Sequence, residues 1–76
     1  MRNVRGAVVT AAEYMAHDIG KRVELHPRLD RWMKGDRFGE IVRVHRPRGR
    51  HEFLFVIKLD TSGDTVRLSR DDVRVL

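Results

Sequence analysis

The 76-residue chain has no cysteine. Disulfides and thiolate-held metals are therefore excluded as staples, and the composition suits a reducing cytosol. Long apolar runs are also missing. The stretch Gly6-Ala7-Val8-Val9 after the basic start is too short for a signal-peptide core, and no window approaches a membrane span, so the chain reads as soluble and cytoplasmic. His17, His26, His45 and His51 share no ligand spacing, which leaves no metal site to propose. Ser62 and Ser69 lie in turn-forming stretches, Asp71 and Asp72 in a helix-start composition, and nothing pairs a nucleophile with an oriented base. Catalysis is not expected and no cofactor is implied. Internal repeats and low-complexity segments are absent as well.

Charge is present in excess, and unevenly. The net charge is +5, yet residues 21 to 50 carry ten basic against four acidic residues while the two flanking segments are close to balanced. Such polarisation favours acidic partners, nucleic acid first among them, unless the fold scatters it.

Residues 1–19 and 20–76 differ in pattern. Thr10-Ala-Ala-Glu13 matches a capping box, and Ala11, Ala12, Met15 and Ala16 favour helix, which predicts a short helix from Ala11 to Ile19 stopped at Gly20. Tyr14, Met15 and Ile19 form its narrow apolar stripe. Nine residues do not hold as an isolated helix, so this N-terminal arm is expected either to dock loosely or to order on a partner or a second copy. From Gly20 onward the period changes to two. Val23 and Leu25 alternate with Arg22 and Glu24, then Ile41, Val42 and Val44 follow the Gly35/Gly39 turn, and Phe53, Phe55, Ile57 and Leu59 share one face opposite Leu54 and Val56. Asp60-Thr-Ser-Gly-Asp64 describes a hairpin turn, Thr65 to Leu68 a fourth strand, Ser69 to Asp72 one helical turn, and Val73 to Leu76 a closing strand. The predicted buried set is Val23, Leu25, Ile41, Phe55, Ile57, Leu59, Val66, Leu68, Val73 and Val75.

Five short strands, a long first loop, a basic second loop, a tight hairpin and one helical turn before the last strand together resemble the SH3-like small barrel of the KOW and Tudor-like kind. The likeness rests on Gly20-Lys-Arg-Val23, Gly35-x-x-x-Gly39-x-Ile41 and the ending Val66-Arg-Leu68, Asp72-Val-Arg-Val75. More narrowly, His26-Pro, Asp30-Arg-Trp-Met and Gly35-Asp-Arg-Phe-Gly39 resemble small proteins of tailed phages and prophages. The resemblance covers residues 20–76 and implies a mainly β fold, a five-stranded SH3-like barrel with a short N-terminal helix. It departs from the KOW pattern in placing Gly39 16 residues after Val23, and in having residues 1–19 at all.

Two surfaces are candidates for binding. Arg46, Arg48 and Arg50 lie within five residues in a turn held open by Pro47 and Gly49, and arginine forks take phosphate oxygens bidentately; Arg43 and Lys34 would assist. Trp32 and Met33 in a polar loop, with Phe38, Arg31 and Arg37 near them, offer either a stacking or peptide-gripping surface, or a lid over the open barrel end. Phosphate-backbone binding is the first expectation. A phage protein-interaction module using the Trp32 loop and the N-terminal arm is the second.

Overall fold

A computed structural model of the chain describes residues 11–49 and 52–76. Helix α1 (Ala11–Ala16) precedes strand β1 (Arg22–Leu25), and a single helical turn, α2 (Asp30–Met33), lies in the connection to β2 (Phe38–His45). Strands β3 (Leu54–Leu59) and β4 (Thr65–Leu68) form the next hairpin, and a 3-10 turn (Arg70–Asp72) leads into β5 (Val73–Val75). The five strands make one antiparallel sheet in the order β4-β3-β2-β1-β5.

Local chemistry accounts for most of these elements. Alternation puts Val23, Leu25, Ile41, Phe55, Ile57 and Leu59 on one face, where all six are fully buried. The turn between β3 and β4 closes with Gly63 at a φ of 78°, a conformation that side chains bearing a Cβ disfavour. Ser69 caps the 3-10 turn, its hydroxyl accepting from the Asp71 amide at 3.0 Å. At Gly39 the sheet admits no side chain, because a Cβ there would lie 2.6 Å from the Lys58 carbonyl oxygen and 2.7 Å from Ile57 Cγ2. The glycine lets β2 and β3 approach where Gly39 faces Leu59.

Several expectations need correction. The mainly β, five-stranded expectation is met by an antiparallel sheet in which, among the described residues, β4 and β5 each pair with one neighbour and not with each other. Val75 is consequently 37% exposed, and Val66, Leu68 and Val73 are half-buried against the core. A register shift between Ile41 and Arg43 leaves Val42 unpaired and exposed, so two successive residues face outward before Val44 turns back in. The first loop, expected to be without an element, contains α2. The first helix is shorter than expected and ends at Ala16; tight turns follow, in which Asp18 N–H donates to the Met15 carbonyl and Ile19 N–H to that of Ala16. Tyr14 and Ile19 are exposed, and Thr10, the expected cap, lies outside the described residues.

Met15 alone of the helix stripe is buried. It is 3% exposed and joins the core cluster with Val23, Leu25, Ile41, Phe55, Ile57 and Leu59. The segment after the helix continues the strand ladder, with Gly20 N–H donating to the Ile41 carbonyl at 2.7 Å and Ile41 N–H to that of Lys21 at 3.0 Å.

Two substitutions test this architecture. Met15→Ala should lower stability by ~2 kcal/mol or more in urea unfolding, the usual range for emptying a core methionine site. Gly39→Ala should cost about 1–3 kcal/mol, because backbone rather than a pliable side chain must yield to the added methyl. An unchanged urea midpoint for either would show that the contact described does not hold.

Candidate nucleic-acid interface

The loop between β2 and β3 runs from Arg46 to Phe53. At its base the Arg46 guanidinium lies over the Phe53 ring, 5.9 Å from the centroid. Arg48 is exposed at the turn, next to Gly49, and Arg50 lies outside the described residues. Arg43 is on β2, and the strand register decides its surroundings. It faces Val56 on β3, which in turn faces Arg67 on β4, so two arginines flank one valine on the face of the sheet opposite the core. Val56 is 4% exposed between them. The neighbouring row on that face is Arg22, Glu40, Lys58 and Thr65.

Arg67 is the residue that sequence reasoning missed. Alternation in Thr65 to Leu68 puts it outward, but only the pairing of three strands sets it beside Arg43. Lys34 is the converse case. It follows α2 in the β1–β2 connection, at the opposite end of β2 from Arg46 and Arg48, so the fold does not bring it into their group.

Ion pairing divides the remaining cations. Acids from the C-terminal third reach back to arginines of the middle third: Asp60 pairs with Arg22, Asp72 with Arg28, and Asp64 with Arg31 at 3.0 Å. Glu24 pairs with Arg74 at 2.6 Å and Asp18 with Lys21 at 3.1 Å. Arg43, Arg48 and Arg67 have no acidic partner among the described residues. Arg22, Arg28 and Arg31 are thus paired internally, while Arg43 on β2, Arg48 in the β2–β3 loop and Arg67 on β4 are exposed.

The second candidate surface is only partly assembled. Arg31 is held internally, since it also donates to Asp36 at 3.3 Å; Asp36 is 6% exposed and accepts from the Ser62 amide at 3.1 Å. Trp32 is half-buried against the core, with the Arg37 guanidinium 4.7 Å from its ring centroid and Arg37 Nε–H donating to its carbonyl. Met33 (81% exposed) and Phe38 (41%) remain open. A separate cleft of about 680 Å³ runs between α1, the start of β3, the 3-10 turn and β5, lined by Met15, Phe53, Phe55, Arg70 and Val73 among others. Among the described residues no three acids or histidines group as metal ligands, and no helix is long and apolar enough to cross a membrane.

The Arg22–Asp60 pair gives a test in solution. The hydrogen bond from Arg22 holds the Asp60 carboxyl below its ordinary value of 3.8, and the same bond raises the Arg22 guanidinium. The folded chain then binds this proton more weakly than the unfolded chain does, so the pair's contribution is present above pH 3.8 and is lost as pH falls through the depressed folded value. Both groups are exposed and the effect on stability is small. An NMR titration should find the Asp60 midpoint below the usual carboxylate range and returning towards it in Arg22→Gln; an unshifted midpoint in both proteins would rule out the pair.

No family model, no curated protein and no solved structure matches this chain.

Proposed function

We propose that the chain is a small basic nucleic-acid-binding protein of the SH3-like barrel kind, encoded by a phage or prophage and acting without catalysis in the host cytoplasm. The barrel reading is supported by the strand order β4-β3-β2-β1-β5, the long first connection and the 3-10 turn before β5. One observation carries the binding role: Asp60, Asp72 and Asp64 pair with Arg22, Arg28 and Arg31, while Arg43, Arg48 and Arg67 are exposed with no acidic partner among the described residues. Guanidinium groups without a carboxylate partner suit phosphate oxygens, and their contacts are independent of base sequence. By their place in the sequence Arg46 and Arg50 are counted with them as phosphate contacts, and DNA and RNA both offer the chemistry needed.

A second reading, a phage protein-interaction module that binds a host factor or serves as a structural accessory, draws on Met33 and Phe38. Both are exposed beside Trp32 and Arg37, and an aromatic with a methionine is a common anchor in protein contacts.

Fluorescence titration of duplex and single-stranded oligonucleotides across salt separates the two readings. Each phosphate neutralised contributes roughly 0.7–0.9 to the slope of log K against log salt. The triple change Arg46→Ser, Arg48→Ser and Arg50→Ser should therefore lower the slope by about 2–3 with the fold retained by circular dichroism. An unchanged slope would remove the loop from the contact. Absence of wild-type binding at low salt would end the nucleic-acid reading in favour of the protein-interaction one.

A further inference from the structure

We infer that the nucleic-acid ligand is a duplex, held by its phosphates on the outward face of β2, β3 and β4, with Arg43 and Arg67 as the gripping pair. This rests on the nucleic-acid reading above and goes beyond it in both site and ligand. Neighbouring strands lie about 4.8 Å apart, so the Arg43 and Arg67 backbones are roughly 10 Å from one another with Val56 between them. Both arginines project from a sheet rather than from a loop, which holds their spacing and lowers the ordering cost of binding two phosphates at once. Lys58 lies in the adjacent row but has Glu40 as its cross-strand neighbour, so its charge is partly offset and the arginines dominate.

The ligand class follows from what lies between the cations. Sheet surfaces that take single strands stack bases on aromatic rings, at about 1–3 kcal/mol per base. Here the group between the arginines is aliphatic and buried, and the other outward residues of the three strands are Phe38, Glu40, Val42, His45, Leu54, Lys58 and Thr65. The rings among them stand at the two ends of β2, His45 half-buried opposite Leu54 and Phe38 at the start of the strand beyond the Glu40 row, so neither lies between Arg43 and Arg67. The exposed Phe38 faces Glu24, which is paired to Arg74, away from the arginine row. Two forks with no ring between them gain from charge density, and a duplex presents one phosphate charge per roughly 1.7 Å of axis.

The test compares Arg43→Gln/Arg67→Gln with wild type on a duplex and on one of its strands, at matched salt. Glutamine keeps part of the aliphatic stem beside Val56, and Arg67→Gln alone serves if the double variant does not fold. Arg74→Gln removes the same charge from β5 and is the control for net charge. The expected result is tighter wild-type binding to duplex than to single strand, a duplex salt slope lower by about 2 in the double variant or about 1 in the single one, and no such change in Arg74→Gln. Tighter binding to the single strand would overturn the inference and leave the proposed function standing. So would a duplex slope that the paired arginines do not alter, or that Arg74→Gln alters equally. Failure of the wild type to bind either ligand overturns both.

Discussion

Asp36 is the point on which the long first connection depends. A carboxylate almost removed from solvent is costly unless its oxygens are satisfied, and here one oxygen accepts from the Ser62 amide while the other receives Arg31. The Gly35 carbonyl accepts from the Thr61 hydroxyl close by. These contacts fasten the β1–β2 connection to the β3–β4 turn, and with it Trp32, whose ring lies against the core. In a chain of 76 residues with so few fully buried side chains, covering one end of the core with a pinned loop is a substantial part of making a core at all.

The same pinning shapes the electrostatic surface. Arg31 is consumed by Asp36 and Asp64, Arg28 by Asp72 and Arg22 by Asp60, so the end of the sheet that carries the first loop is close to neutral although it is rich in arginine. Arg37 is turned onto Trp32 in the same region. Arg43 on β2, Arg67 on β4 and Arg48 in the second loop have no such partners among the described residues. Structural pairing and charge segregation are therefore one arrangement: the acids used to hold the first loop are acids withheld from the opposite end.

An open sheet brings a second constraint. Among the described residues β4 and β5 do not pair with each other, and Met15 enters the core cluster beside the cleft lined by Phe53, Phe55 and Val73. The short helix thus contributes to the core through one side chain, although too short to hold by itself.

The amino-acid order alone dictates which residues face the core in each strand, because alternation is a local property of a pleated backbone: Val23, Leu25, Ile41, Phe55, Ile57 and Leu59 are legible one strand at a time. It also determined the turn at Gly63 and the serine-capped turn before β5, whose chemistry acts over two to four residues. Register and closure were decided only in three dimensions. The register shift at Val42, the exposure of Val75 and the meeting of Arg43 with Arg67 depend on how strands align, and alignment is a sum over partners that no single segment contains. Arg31 and Arg48 look alike as arginines in polar loops. One is committed to an aspartate 33 residues away and the other has none among the described residues, because Coulomb attraction acts through space and the chain order does not record which charges the fold brings together.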